Sequence, residues 1–247
     1  MAIYYEHKVL VDSRDVDGRG YCKAAALLGH LQEAATQAAE QGGFTRQALL
    51  ERYNGFWMLT RVWFHLDRPL KWEDEVTIRT WHRGSHRATL YRDYDLYVGG
   101  RRVGEAVSAW VLADVETRKL IRLNRIRELD GTEGGELAKE KLLSKLHRPA
   151  DLTETEVRPM RYSDTDINGH VNNNRYADFV CDAMEMDAME KTAFVSEMQI
   201  GYLAECRPGE VLSIQTAPAE SGFYVYGLDK GGKTRFESSV IFGKDSP

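Results

Sequence analysis

The chain has little that would tie it to a metal, a membrane or a nucleic acid. Its 247 residues hold three cysteines, Cys22, Cys181 and Cys206, scattered and odd in number. No C-x-x-C pair occurs, which excludes a zinc knuckle and offers no disulfide framework. His82 and His86 have no cysteine or carboxylate at metal-ligand spacing and read as surface or loop histidines. With no phosphate-binding motif either, neither a metal nor a cofactor is expected. No apolar run approaches the ~20 residues of a membrane helix. The formal charge of -5 argues against a nucleic-acid partner, which would require a basic footprint. The first ten residues lack a basic stretch followed by an apolar core. No secretory signal is therefore expected, and the cytoplasm, with reduced thiols, is the expected compartment.

What the sequence does have is one order of elements written twice. The composition, 43% hydrophobic and 29% charged, suits a water-soluble globular chain. The first half opens on a strand-like run at 3–11 and a turn-rich stretch at 15–20. Leu27, Leu28, Leu31, Ala34, Ala35 and Ala38 then recur at helical spacing, and Gly42-Gly43 is a stop. Runs rich in Val, Trp, Tyr and Leu at 57–66, 75–81, 88–98 and 103–113 predict strands, with Gly99-Gly100 as a hairpin turn. The second half repeats this order: a strand at 155–160, a turn-rich stretch at 164–170, and a helix with Tyr176, Phe179, Val180, Ala183 and Met184 on one face. Strands are predicted at 194–204, 210–216, 223–228 and 234–242.

The halves also match by residue. Asp15-Val16-Asp17-Gly18-Arg19-Gly20-Tyr21 lies over Asp164-Thr165-Asp166-Ile167-Asn168-Gly169-His170, and 74–80 lies over 209–215. The division is a first half at 1–125, a polar linker at 126–150 with one short helix at 137–146, and a second half at 151–247. One helix followed by a multi-stranded antiparallel sheet, made twice, is an α+β pattern. A curved sheet can wrap a long Ala/Leu-striped helix in the hot-dog arrangement, so two tandem units predict a double hot-dog with one continuous sheet.

The densest polar stretch is 162–174. Asp166, Asn168 and His170 alternate there, and in an extended segment alternate residues project to one side. A carboxylate, an amide and an imidazole would then converge. Asn172-Asn173-Asn174 suits a helix start, because Asn caps well. The matching first-half loop keeps Asp17 but carries Arg19 and Tyr21, which suggests one active copy and one degenerate copy.

Asp164-Thr165-Asp166-Ile167-Asn168-Gly169-His170-Val171-Asn172-Asn173 resembles the active-site motif of acyl-acyl carrier protein thioesterases of plant plastids and bacteria, and Tyr202-Leu203-Ala204-Glu205-Cys206 resembles that family's second motif. The resemblance implies hydrolysis of a fatty acyl thioester carried on acyl carrier protein. It gives the catalytic set Asp166, Asn168, His170 and Glu205, with Asp166 as nucleophile or orienting group and Asn168 and His170 polarising a water or the carbonyl. Cys206 as nucleophile in a papain-like set is the rival scheme. The carboxylate scheme is preferred, because nothing in the sequence points to a depressed thiol pKa. An acyl-CoA thioesterase and a non-catalytic acyl-binding hot-dog protein are the alternatives. A hot-dog dehydratase fits less well, because the helix stripes are apolar. The oligomeric state, a homodimer included, is left open.

Three further expectations concern substrate binding. The tryptophans at 57, 63, 72, 81 and 110 are candidates to line an acyl tunnel, although strand aromatics are more often core. Leu27, Leu28 and Leu31 are candidates to set chain length. An acidic carrier requires a local basic surface on this net-acidic chain. Residues 79–92 rank first for that surface, through Arg79, Arg83, Arg87 and Arg92. Residues 118–127, with Arg118, Lys119, Arg122, Arg125 and Arg127, rank second.

Overall fold

The computed structural model describes residues 4–123, 126 and 142–245. The first half consists of β1 (Tyr5–Leu10), α1 (Ala24–Gln41), α2 (Arg46–Tyr53), β2 (Gly55–Leu66), β3 (Glu75–His86), β4 (Thr89–Val98), β5 (Arg101–Asp114) and the short β6 (Leu120–Ile121). The second half consists of β7 (Thr153–Pro159), α3 (Arg175–Ala183), β8 (Ala193–Tyr202), β9 (Val211–Ala219), β10 (Gly222–Leu228) and β11 (Thr234–Lys244). The strands form a single antiparallel sheet in the order β1-β3-β4-β5-β2-β8-β11-β10-β9-β7, with β6 on β5. Each half supplies the same internal order, and the two meet where β2 pairs with β8, Arg61 opposite Gly201 and His65 opposite Glu197. Joining the halves edge to edge satisfies two rows of backbone groups that would otherwise be open edges. The fold is α+β, a double hot-dog with a continuous sheet.

The helices lie against this sheet because of their stripes. Leu27, Leu28, Leu31, Ala34 and Ala35 of α1 are buried, and so are Tyr176, Ala177, Phe179 and Val180 of α3. All of them join one core that spans both halves and includes Phe64, Ile78 and Phe236. Gly43, at φ +82, turns the chain after α1, and its N–H bonds to the Glu40 carbonyl. Gly99 and Gly100, both at positive φ, close the β4–β5 hairpin as a two-residue turn.

Sequence reasoning missed α2. Thr45 caps it by accepting the Ala48 N–H, but Leu49 is its one buried residue. A two-turn helix with a single buried position has no periodicity to read. The match of 74–80 over 209–215 is one residue out of register. Met160 accepts the Gly209 N–H just as Val11 accepts that of Glu73, and buried Val76 faces inward as Leu212 does. Asp74 therefore corresponds to Glu210. A slip of one residue would send every side chain to the opposite face.

The helix expected at 137–146 lies partly outside the described residues, and 142–146 are not helical. This stretch runs across the sheet instead. Leu143 packs with Trp63, Tyr91 and Val107, Gln199 donates to the Ser144 carbonyl, and the Leu146 N–H donates to buried Glu237. Among the described residues no helix is long and apolar enough to cross a membrane.

Candidate active site

The segment from Asp166 to His170 is a tight turn, not an extended run. The Asp166 N–H bonds to the His170 carbonyl at 2.9 Å, and the Gly169 N–H returns to the Asp166 carbonyl at 3.0 Å. Gly169 sits at φ +73, where a Cβ would be strained. Asp166 Oδ1 accepts the Asn168 N–H at 2.8 Å. Strand-like alternation therefore does not describe this segment, because its backbone is a turn. The asparagine run also behaves differently from expectation. Asn174 at the start of α3 makes no side-chain cap, and Asn172 Oδ1 accepts the Asn174 N–H instead.

The structure brings His170 and Glu205 together, with Nε2 3.1 Å from Oε2. The imidazole is largely covered, whereas Glu205 is exposed. The two segments are held in place by main-chain bonds, the Val171 N–H to the Cys206 carbonyl at 2.8 Å and Arg235 Nη1 to the Glu205 carbonyl at 2.8 Å. With Nε2–H donating to the carboxylate, the neutral ring keeps its lone pair on Nδ1. Cys206 is fully buried in the core beside Tyr176, and burial pushes its thiol pKa up. That is the opposite of what a thiolate nucleophile requires.

A cavity of about 580 Å³ lies in the first half. Ala35, Ala38 and Ala39 of α1, Leu49 of α2 and Trp57, Trp81 and Trp110 of the sheet line it. Its far contributor is the second-half turn, through Ile167 and Asn168. Ile167 is 88% exposed, so this turn forms the open rim. Of the four expected site residues, Asn168 alone lines the cavity; His170 lies two residues further along the same turn and pairs with Glu205. Trp63 packs on the opposite side of the sheet and Trp72 is exposed. Leu27, Leu28 and Leu31 belong to the core instead of the cavity wall, which the next turns of α1 provide.

The first-ranked basic stretch is not a continuous free surface, although Arg87 is exposed. Arg83 is buried in a bidentate pair with Asp93, Arg79 pairs with Glu6, and Arg92 is covered in the cavity wall, where burial lowers its pKa. His82, expected at the surface, is 6% exposed and lines the same wall. An alternating strand turns half its cations inward, so a count of charges along it does not describe a patch. In the second stretch Arg118, Lys119 and Arg122 are exposed, and Arg118 reaches Glu205. The remaining cations of that stretch, Arg125 and Arg127, lie outside the described residues.

The fold is thus a double hot-dog whose first half holds a cavity with Asn168 of the second half on its lining, and whose second half pairs a histidine with a carboxylate. The family model for the acyl-ACP thioesterase N-terminal domain matches residues 3–127, and that for its C-terminal domain matches 147–237. The chain belongs to the acyl-ACP thioesterase family. It is similar to oleoyl-acyl carrier protein thioesterase 1, chloroplastic, of Arabidopsis thaliana, at 26% identity over 88% of this chain and 65% of that protein. It is also similar to the palmitoyl-acyl carrier protein thioesterase of the same plant, at 28% over 77% and 49%. The chain thus spans from about half to just under two thirds of these plant relatives. Among solved structures, an acyl-ACP thioesterase from Bacteroides thetaiotaomicron superposes with a TM-score of 0.89 at 26% identity, covering 97% of this chain and 98% of that one. The 12:0-ACP thioesterase from Umbellularia californica shares the fold, with a TM-score of 0.85 at 22% identity over 99% of each chain.

Proposed function

We propose that this chain hydrolyses the thioester of a fatty acyl chain carried on acyl carrier protein and releases the free fatty acid. The observation that carries this reading is a cavity of about 580 Å³ whose lining includes Asn168, on the same turn as the His170 that pairs with Glu205. That volume lies within the ~300–1,000 Å³ of small-molecule sites. In the reaction the acyl chain enters the first half and its carbonyl stays at the rim. Asn168 donates to the carbonyl oxygen as negative charge develops there. His170 Nδ1 takes a proton from water, whose oxygen attacks the carbonyl carbon, and Glu205 holds the ring through Nε2. The carbon–sulfur bond breaks, and the thiol leaves with the proton that His170 returns. Asp166 shapes the turn that presents Asn168. In this reading residues 1–125 select the chain, residues 151–247 carry the chemistry and 126–150 join them. Exposed Lys119 and Arg122, close along the chain to Arg118, supply the positive surface for an acidic carrier.

Product analysis with acyl-carrier-protein substrates of graded chain length, beside the matching acyl-CoAs, tests this reading. Free fatty acid from the carrier-bound series is expected. Release from acyl-CoA alone would move the substrate to the other carrier, and release from neither would leave an acyl-binding protein.

A further inference from the structure

Arg118 belongs to the first half, yet its guanidinium contacts a carboxylate of the second. Nη1 lies 3.5 Å from Glu205 Oε1, while Glu205 Oε2 faces His170 Nε2 at 3.1 Å. Both carboxylate oxygens are thus engaged, one by each half. The guanidinium also stacks on Phe56, 5.0 Å from the ring centroid, and Phe56 lines the cavity. The arginine is therefore held between the cavity wall and the proposed catalytic pair.

The backbone beneath it is built for this placement. Arg118 ends the turn after β5, and its φ is +57, a left-handed conformation that favours glycine. Asp114 fixes the turn: Oδ1 accepts the N–H groups of Glu116 and Thr117 and the Thr117 hydroxyl, and the Asp114 carbonyl accepts the Arg118 N–H at 3.0 Å. A non-glycine residue in that conformation carries backbone strain, which a role for its side chain would offset. Fold stability does not supply one, because an ion pair with side chains 49% and 39% exposed adds little. Orientation of Glu205 does.

We propose that Arg118 is a positioning residue: by holding one oxygen of Glu205 it turns the other to His170 and keeps the imidazole in its Nε2–H form, so that the cavity-bearing half completes the site of the other half. This rests on the hydrolytic reading above. It adds a residue that neither signature stretch of the second half contains, and it separates Arg118 from the docking role of its neighbours Lys119 and Arg122.

The test compares the full chain with Arg118→Gly and Arg118→Lys on an acyl carrier protein thioester and on a small soluble thioester, with ¹⁵N imidazole spectra of His170 recorded alongside. Arg118→Gly removes the side chain and relieves the backbone, so its Tm should hold or rise. Its kcat should fall about tenfold on both substrates, with KM nearly unchanged. The His170 signals should move from the Nε2–H form toward mixed tautomers, and Arg118→Lys should restore part of both. Wild-type kcat and an unchanged tautomer in Arg118→Gly would overturn the proposal, as would a loss confined to the carrier substrate, which is what a docking contact gives. If the wild type hydrolyses neither thioester while its His170 tautomer still depends on Arg118, the positioning role stands and the hydrolytic reading falls.

Discussion

The loops at 15–21 and 164–170 share a backbone and differ in what it carries. Each closes with the same bridge, Val16 opposite Cys22 and Thr165 opposite Val171. In each, an aspartate N–H bonds to the carbonyl four residues on, and a glycine at positive φ completes the turn. Asp17 Oδ1 accepts the Arg19 N–H as Asp166 Oδ1 accepts that of Asn168. The aspartate is thus common property of the turn, with the same turn-building contact in both copies. The copies diverge at the next two alternate positions. Arg19 folds back on Asp17 Oδ2 and closes the first loop with an internal ion pair, whereas Asn168 faces the cavity. Tyr21 donates to Asp245 Oδ2, which Lys71 also holds, whereas His170 meets Glu205, which Arg118 holds. Each copy thus has a ring, a carboxylate and a cation in series, and each series borrows one member from the other half. One series ties down the end of β11; the other holds the imidazole proposed as the base.

The largest effect should come from the rings. His170→Ala is expected to lower turnover ~10²-fold or more, about 2.7 kcal/mol of barrier, while Tyr21→Ala leaves kcat near wild type. Cys206→Ala should cost little turnover, since its thiol is buried and protonated. Steady-state kinetics on one acyl thioester settles all three, and an equal loss in Tyr21→Ala would erase the contrast between the loops. The division into a selecting half and a reacting half predicts the next effect. Ala35→Leu fills the cavity wall and should cut kcat/KM for the longest accepted chain about tenfold, while leaving short chains alone. A uniform loss across a chain-length series would mean that this cavity does not read length.

Smaller effects come from the first loop's own series. Hydrogen bonds from Lys71, then Tyr21, hold the Asp245 carboxyl below the usual aspartate range. A group whose folded pKa is depressed stabilises the fold above its unfolded value of about 3.9 and loses that contribution as pH falls through the folded value. Asp245→Asn should therefore destabilise by under about 1 kcal/mol at neutral pH, and the gap from wild type should close in acid. Denaturation series at several pH values would show a constant gap if the pair contributes no linkage. The smallest effect concerns a turn that the two halves share. Glu73 sits at φ +69 where the second copy has Gly209 at φ +87. Glu73→Gly should stabilise by ~0.5–1 kcal/mol, read as a rise in Tm, unless the Glu73 side chain has a role of its own.

Much of this was legible in the residues. The apolar stripe of α1, the alternating strands and the Gly99-Gly100 turn are local signals, each set by the periodicity of one element, and the tandem order follows from reading them twice. The loop correspondence was legible too, because a turn imposes its residues at fixed offsets. The candidates at 166, 168 and 170 were visible as a dense polar stretch, whereas Glu205 was visible only through the resemblance of 202–206 to a family motif. What failed was reasoning about direction. Asp166, Asn168 and His170 lie on a turn where extension was assumed, and the cations at 79–92 are divided between the two faces of their strands.

The sequence by itself determined the long helices and most of the strands, that the plan is doubled, and that the two loops differ at their alternate positions, since each of these depends on neighbours along the chain. Only the tertiary structure decided that Ala35 and Trp110 share a cavity, that Cys206 is sealed in the core, that Arg92 is a wall residue and that Arg118 crosses to Glu205. Those facts depend on which face of each strand meets which helix and on the edge-to-edge joining of β2 and β8. Such long-range pairings leave no local pattern for the residues to record.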